Sequence, residues 1–173
     1  GSEFVPARYE FEISEKNGVK PVTLTTKEGV EIVLNGKIDR IDIFEDAGER
    51  FVRIVDYKTG VKKFNLDHIL FGIDMQMLLY LFSITGSDGP FGSSVPAGVL
   101  YMPSGKISLD RERSDNDGLD AYLNKYYHMS GVLLKELRVL QAMEEHIEGI
   151  YIPAKLTSAA RKKGSFELDK RYT

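Results

Sequence analysis

The strongest candidates for chemistry are a carboxylate and an ammonium at the end of an apolar run. Asp56 and Lys58 follow Phe51–Val55, whose β-branched and aromatic residues are typical of a buried strand. Because side chains alternate along a strand, Asp56 and Lys58 are expected on one face, about 7 Å apart. Such a charged pair is costly to bury unless it is solvated or binds a ligand. The pair is therefore a candidate functional site.

A second carboxylate precedes this strand in the acidic segment Gly36–Asp42. Within that segment, Asp39 lies on the neighbouring part of a predicted hairpin, from which it can approach Asp56 across the sheet. Two carboxylates can hold one Mg²⁺, which prefers oxygen ligands and retains several waters. The backbone carbonyl of Tyr57 is a further candidate ligand. We predict that the two carboxylates lie within about 5 Å of each other, because they would share one ion.

An Asp-x-Lys sequence on a strand is a weak signal by itself, because most such pairs are surface salt bridges worth ~0–1 kcal/mol. The order of the surrounding elements strengthens the functional interpretation. The acidic segment and the Asp56 strand are followed by a predicted helix that carries Gln76 and Tyr80. These two residues are four positions apart, so they share one face of the helix.

The elements that must position these residues follow an α/β pattern. Apolar residues at period two predict a hairpin within residues 21–44, and the polar residues 44–50 separate it from the next strand. Asn65 is the predicted N-cap of a helix that continues to Thr85. A strand at Ala97–Met102 follows, so strand, helix and strand form a crossover that is expected to be right-handed.

The remaining third of the chain is predicted to be mainly helical. Helical apolar spacing extends over residues 119–126 and again over residues 132–140. Ile150–Pro153 is predicted to form a short edge strand, whereas the basic and polar segment 158–165 is expected to be mobile.

The composition is that of an ordinary globular protein. The chain has 173 residues, of which 42% are hydrophobic and 28% are charged, enough for one domain with a substantial core. No apolar run of about 18 residues could span a bilayer, so we expect no membrane association. The first four residues are typical of a cloning-site scar. Residues 5–173 are predicted to form a single domain taken from a longer chain.

Charge and cysteine content restrict the classes of site. The chain has no cysteine, which excludes disulfides, thiolate zinc sites and cysteine-ligated iron–sulfur clusters from it and favours a reducing compartment, the cytoplasm. The net charge of -3 argues against binding of nucleic acid by bulk positive charge. Basic clusters at 62–63 and 161–163 are local exceptions, although such clusters are usually solvated surface.

Several segments resemble motifs of a known family. Three of them resemble the nuclease motifs of RecB-type PD-(D/E)XK enzymes, in the family's order: Gly36–Asp42, Ile54–Gly60 and Gln76–Leu81. Three others resemble the C-terminal nuclease domain of AddB proteins, which belong to ATP-dependent helicase/deoxyribonucleases: Ala97–Tyr101, Ser130–Leu134 and Ile152–Lys155. The resemblance covers nearly the whole chain. It implies an α/β fold with a restriction-endonuclease-like PD-(D/E)XK core, in which helices flank a mixed central sheet.

The resemblance also implies roles for the residues singled out above. Asp39 and Asp56 match the metal ligands, and Lys58 matches the catalytic lysine. Gln76 and Tyr80 belong to the helix motif beside the active site.

Flanking positions are less sharply defined by the resemblance. Glu10 is a further candidate because it matches an upstream acidic position, although Glu12 is two residues away and a polar strand edge explains either residue. Arg40 and Asp42 are expected to be a structural pair beside the site.

The activity implied by the resemblance is hydrolysis of DNA phosphodiester bonds with Mg²⁺ or Mn²⁺. The chain would serve a helicase–nuclease complex that processes double-strand DNA ends for recombinational repair, with an AddA-type partner as the motor. Intact family members also hold an iron–sulfur cluster through cysteines that this chain lacks. We therefore expect the chain to fold but to cleave DNA slowly by itself. The alternatives are a nuclease-like domain that binds DNA or assembles a complex without cleavage, and a free-standing exonuclease.

Overall fold

A mixed five-stranded sheet forms the centre of the structure. The computed structural model describes residues 1–59, 75–105, 122–124 and 126–170. In chain order, its strands and helices are β1 (Val5–Ile13), β2 (Val22–Thr25), β3 (Glu31–Leu34), β4 (Gly36–Asp46), β5 (Glu49–Lys58), α1 (Met75–Thr85), β6 (Val95–Pro103), β7 (Ser130–Leu133), α2 (Leu137–Met143) and α3 (Ser158–Lys163). None of the helices within the described ranges has the length and apolar character needed to span a bilayer.

The strand order in the sheet is β1-β4-β5-β6-β7. Neighbouring strands are antiparallel except β5 and β6, which run parallel. A parallel pair requires a crossover connection, and α1 lies in this one, so the predicted order of strand, helix and strand is confirmed. The predicted hairpin is also confirmed, as the separate pair β2 and β3. The N-terminal half of the predicted helix, with Asn65, lies outside the described residues.

A two-residue turn joins β4 to β5 and sets their register. Ala47 and Gly48 have positive φ angles of 50° and 82°, as a type I′ hairpin turn requires. Asp46 pairs with Glu49 on either side of the turn. The polar segment 44–50 is therefore mostly strand, and its prediction as a spacer was wrong. Its polarity reflects the exposed end of a hairpin.

β5 is covered on both faces, which explains its nearly continuous apolar sequence. The core on the α1 face includes Ile38, Ile41, Val52, Ile54, Tyr80, Leu81, Ile84 and Val99. The core on the α2 face includes Phe51, Val55, Leu100, Val139, Leu140, Ile147 and Ile152. Because side chains alternate along β5, Asp56 and Lys58 continue the α1 face and Tyr57 continues the α2 face.

Residues 1–4, which resemble a cloning scar by sequence, take part in the core. Phe4 is buried with the apolar side chains on the α2 face, and the backbone N–H of Glu3 donates to the carbonyl of Ala142 at 2.7 Å. Their assignment as a cloning scar stays a prediction, and these contacts show only that they pack against the rest of the domain. An apolar ring beside an open core surface is buried whatever its origin, because burial removes apolar area from water.

The segment predicted as a helix over residues 132–140 divides into a strand and a helix. Its first residues belong to β7, which pairs with β6, and only Leu137 onward is helical. Gly131 approaches β6 so closely that a Cβ there would lie 3.0 Å from the carbonyl carbon of Val99. A short apolar run does not distinguish strand from helix, so the pairing with β6 decides the outcome.

Of the other two C-terminal expectations, the strand was wrong, and the mobility of segment 158–165 stays a prediction. Ile150–Pro153 does not form a strand, because most of its backbone N–H groups bond to a buried carboxylate instead of a neighbouring strand. The basic segment 158–165 contains the helix α3. Thr157 caps its start by accepting from the N–H of Ala160 at 3.0 Å, and Gly164 ends it with a φ of 64°.

That buried carboxylate belongs to Glu144. It accepts bonds from the backbone N–H groups of residues 148, 150, 151 and 152 at 2.7 to 3.3 Å. We expect Glu144→Gln to lower the free energy of unfolding by at least about 2 kcal/mol, because an amide has one acceptor oxygen and leaves buried donors unsatisfied. Urea unfolding measures this, with the exposed neighbour Glu145 as the matched control in Glu145→Gln. Equal stability of the two variants would contradict this role for Glu144.

Candidate active site

The two predicted acidic residues lie where the ladder between β4 and β5 ends. The last register pair is Arg40 with Val55, so Asp39 and Asp56 are opposite each other one residue beyond it. The Oδ2 atom of Asp39 accepts a 2.7 Å hydrogen bond from the backbone N–H of Tyr57. A side chain thus continues the cross-strand bonding after the backbone ladder stops. Residues opposite each other in antiparallel strands have Cβ atoms about 4.5–5.5 Å apart. The expected carboxylate separation of about 5 Å stays a prediction.

Asp56 and Lys58 form an ion pair at the end of β5. The side chain of Asp56 is only 7% exposed, whereas that of Lys58 is 35% exposed. The Oδ2 atom of Asp56 is buried without a well-oriented hydrogen bond among the described residues. The ammonium of Lys58 therefore balances the charge of Asp56 without satisfying the hydrogen-bonding capacity of this oxygen. The Nζ atom of Lys58 also lies 5.7 Å from the centre of the Tyr101 ring. A buried carboxylate oxygen of this kind is a suitable cation ligand.

The helix residues Gln76 and Tyr80 interact as the spacing predicts. The Nε2 atom of Gln76 donates to the Tyr80 hydroxyl at 2.5 Å. Tyr80 is fully buried and packs in the core on the α1 face with Ile38 and Ile54, which belong to the two strands that carry the acidic residues. The helix motif therefore supports these strands from the side on which Asp56 projects.

The first residue of β4 is a glycine because Tyr80 occupies the space of its side chain. A Cβ on Gly36 would lie 3.0 Å from Cζ of Tyr80 and closer still to its hydroxyl. We expect Gly36→Ala to displace the Tyr80 ring, to break its bond with Gln76 and to lower the rate of any reaction at this site about tenfold or more, because small misplacements of a site are costly. Gly164→Ala is the thermal-stability control, since Gly164 has a positive φ of 64° at the end of α3 and an added Cβ there meets no atom within 4 Å. If Gly36→Ala keeps both the reaction rate and the thermal stability, the close packing of Gly36 against Tyr80 does not matter for function.

Glu10 lies in the same row of the sheet as the two acidic residues. Tyr9 pairs with Arg40 and Phe11 with Ile38, which leaves Glu10 opposite Asp39. Its φ of 49° is left-handed, a strained value for a residue other than glycine.

The carboxylate of Glu10 forms an exposed ion pair with Lys37, and the hydrogen bond from Lys37 to Glu10 raises the pKa of that lysine. Glu12 pairs with Lys37 in the strand register, so both upstream acidic residues lie beside the same lysine. The register thus keeps Glu10 as a candidate, and its role as a ligand stays a prediction.

The expected structural pair of Arg40 and Asp42 is part of a buried group of three. Asp42 is 0% exposed. It accepts from Arg40 at 2.8 and 3.0 Å and from Arg53 at 2.9 Å. Burial lowers the pKa of Arg53. Burial also opposes the charge of Arg40, but its bonds to Asp42 and Tyr57 outweigh this effect and raise its pKa.

Arg53 was missed at the sequence level. The available signal was a single cation inside the apolar run of β5, on the face opposite Asp56.

The donor set fits a hard divalent cation. Among the described ranges, no cluster of three or more histidine, cysteine, aspartate or glutamate side chains is placed to hold an ion. The candidate oxygen donors at the end of the ladder are the carboxylates of Asp39 and Asp56, and the carbonyl of Tyr57 stays a predicted further ligand. Mg²⁺ needs only one or two protein carboxylates when waters and a phosphate complete its shell. The buried, unsatisfied Oδ2 of Asp56 is consistent with such a ligand.

Comparisons with known proteins identify the family. The model of the PD-(D/E)XK nuclease superfamily matches residues 2–160 of the chain. Similar proteins include the ATP-dependent helicase/deoxyribonuclease B subunits of Caldanaerobacter subterraneus subsp. tengcongensis, 37% identical over 163 residues, and of Clostridium acetobutylicum, 32% identical over 177 residues. These alignments cover 90% and 95% of the chain but only 14% and 15% of the two relatives. The mixed sheet with flanking helices agrees with the restriction-endonuclease-like fold, and the chain belongs to the PD-(D/E)XK nuclease superfamily.

Proposed function

We propose that the chain hydrolyses DNA phosphodiester bonds with Mg²⁺ or Mn²⁺ held by Asp39, Asp56 and the carbonyl of Tyr57. The observation that supports this most directly is the convergence at the end of one ladder. Two carboxylates from adjacent strands lie opposite each other there, and a lysine shares the face of the buried one. A purely structural salt bridge does not require a second carboxylate at this position.

The residues of the chain have distinct tasks in this proposal. When bound, the divalent cation polarises the phosphate and lowers the pKa of a coordinated water. Asp39 and Asp56 hold it, and the bond from the Tyr57 N–H to Asp39 fixes the orientation of that carboxylate. Lys58 has three donor hydrogens on a flexible stem. It can bond to a phosphoryl oxygen or to the attacking water while it stays beside Asp56.

The helix motif acts on this site indirectly. Gln76 and Tyr80 form a bonded pair against the strands that carry Asp39 and Asp56. Their packing limits how far those strands can move apart. We assign them a positioning role, because a loosening of about 1 Å can lower a rate roughly a hundredfold.

The larger assembly is part of the same proposal. The relatives are named as B subunits of helicase/deoxyribonucleases, and the chain spans 14% to 16% of their length. We therefore place the chain in a cytoplasmic helicase–nuclease that processes double-strand DNA ends for recombinational repair, beside an AddA-type partner. The complete set of Asp39, Asp56 and Lys58 favours cleavage over a role limited to DNA binding or assembly. An iron–sulfur cluster is proposed for the intact relatives alone, since this chain has no cysteine.

A cleavage assay tests the proposal. Excess protein is incubated at low salt with end-labelled linear single- and double-stranded DNA, and with circular single-stranded DNA, in Mg²⁺, Mn²⁺ or EDTA. We expect slow cleavage of linear DNA that either cation supports and EDTA stops, and intact circles if the enzyme is an exonuclease. Cleavage that persists in EDTA, or none with either cation, would overturn the proposed function.

A further inference from the structure

Two exposed tyrosines and one arginine form a surface immediately beside the candidate active site. Tyr9 is 63% exposed and Tyr57 is 37% exposed, although large aromatic side chains are usually buried to a greater extent. Tyr9 lies on β1, Arg40 on β4 and Tyr57 on β5, which are adjacent strands of the sheet. We call this the Tyr9–Arg40–Tyr57 surface.

The three side chains project from one face of the sheet. Tyr9 and Arg40 are register partners in an antiparallel pair, so their side chains lie on the same side. The Nη1 atom of Arg40 donates to the Tyr57 hydroxyl at 2.7 Å, and its guanidinium carbon lies 5.6 Å from the Tyr57 ring centre. Tyr57 is also the residue between Asp56 and Lys58, so this surface adjoins the cleavage site on the opposite face.

The arginine is fixed in place rather than mobile. Arg40 bonds to both carboxylate oxygens of Asp42, which is itself fully buried. Since Arg53 bonds to the same carboxylate, two guanidinium groups face one carboxylate and the group carries a formal surplus of one positive charge. The Tyr57 ring is therefore anchored at its hydroxyl by an immobilised cation.

We propose that the Tyr9–Arg40–Tyr57 surface stacks bases of single-stranded DNA as the strand passes the active site. This inference rests on the proposed function, because a DNA-cleaving site would bring DNA to this end of the sheet. Aromatic rings and guanidinium planes stack on any base, and the surplus positive charge suits a polyanion. Tyr57 and Asp56 are consecutive residues that project from opposite faces at the end of β5, so a strand that crosses this end would meet both. Its phosphate meets the Asp56 face, and a neighbouring base meets Tyr57.

Binding to DNA with and without bases tests this assignment. Affinities are measured in EDTA at low salt, by fluorescence anisotropy, for an oligothymidine and for an oligonucleotide of equal length with abasic sites. Tyr57→Leu should weaken binding to the oligothymidine about tenfold and leave binding to the abasic strand unchanged. Tyr57→Phe, which keeps the ring and the backbone carbonyl, should stay within about twofold of the unmodified protein.

An exposed tyrosine at the other side of the sheet provides the matched control. The carbonyl of Tyr151 accepts from the N–H of Met129, just before β7, and its side chain is 48% exposed. Tyr151→Leu should bind both oligonucleotides as the unmodified protein does. The inference is wrong if Tyr57→Leu binds the oligothymidine normally, if it weakens both strands equally, or if the unmodified protein shows no preference for bases.

Variants of this surface separate this inference from the proposed function. With Mg²⁺ or Mn²⁺, Tyr9→Leu, which changes no residue of the cation site, should raise the KM for single-stranded DNA about tenfold and keep the kcat, because a uniform binding interaction is lost. Asp56→Asn should show the opposite pattern, with unchanged binding of DNA and cleavage about a thousandfold slower. If Tyr57→Leu weakens binding to the oligothymidine selectively but the unmodified protein never cleaves, the proposed function fails and the base-stacking surface stands. If the unmodified protein cleaves DNA but binds both oligonucleotides equally, the proposed function stands and the base-stacking surface fails.

Discussion

Asp56→Asn is expected to lower DNA cleavage about a thousandfold while leaving the fold intact. A divalent cation contributes several kcal/mol to the stabilisation of charge at a phosphate, and each 1.4 kcal/mol corresponds to about tenfold in rate. The amide keeps the shape of the carboxylate but removes the charge that pairs with Lys58 and that the proposed cation site would require. The measurement is single-turnover cleavage of labelled DNA with excess protein in Mg²⁺ or Mn²⁺.

Two other variants sharpen the meaning of that result. Asp88→Asn changes an exposed aspartate after α1 and should cleave normally. Lys58→Met should also cleave poorly, but it should retain affinity for Mn²⁺ in calorimetric titration, whereas Asp56→Asn should lose it. Cleavage by Asp56→Asn at the unmodified rate would remove Asp56 from the catalytic set.

The second large effect is expected at Asp42, which has no proposed contact with substrate. Asp42→Asn should lower the free energy of unfolding by about 3 kcal/mol, because removing one partner leaves a buried charge uncompensated. Arg53 is 4% exposed, and burial already lowers its pKa beside the intact carboxylate. Urea unfolding monitored by circular dichroism measures the change.

A double variant distinguishes the loss of a partner from the loss of packing. Replacing both charges, as Asp42→Leu with Arg53→Met, should be less destabilising than Asp42→Asn alone, since apolar groups of similar volume can substitute for a buried ion pair. Asp46→Asn, at the exposed end of the same strand, is the control and should change stability by less than about 0.5 kcal/mol. If Asp42→Asn is as stable as this control, the buried group contributes little.

The central part of the fold was predictable because local pattern and tertiary structure agree there. The apolar run before Asp56 is β5, the period-two residues form β2 and β3, and the predicted helix ends at Thr85. In each case the signal lies in alternation or periodicity within a few neighbouring residues. The position of Asp39 opposite Asp56 depends instead on the β4–β5 hairpin, whose turn lies in the segment that was predicted as a spacer.

The other features depend on contacts that a linear pattern does not contain. β7 is a strand because it pairs with β6, and residues 148–152 follow the carboxylate of Glu144 instead of joining the sheet. The close approach of Gly36 to Tyr80 and the shared carboxylate between Arg40 and Arg53 link distant segments in the same way. Tertiary contacts override local propensity at these positions.

The termination of the β4–β5 ladder has a consequence for how the proposed site forms during folding. The carboxylates come from different strands, and only the register set by the Ala47–Gly48 turn puts Asp39 opposite Asp56. A slip of one residue would turn every side chain of one strand to the other face. A chain in which β4 and β5 have not paired in this register therefore does not hold Asp39 opposite Asp56. The proposed hydrolytic activity would then depend on closure of the β4–β5 hairpin.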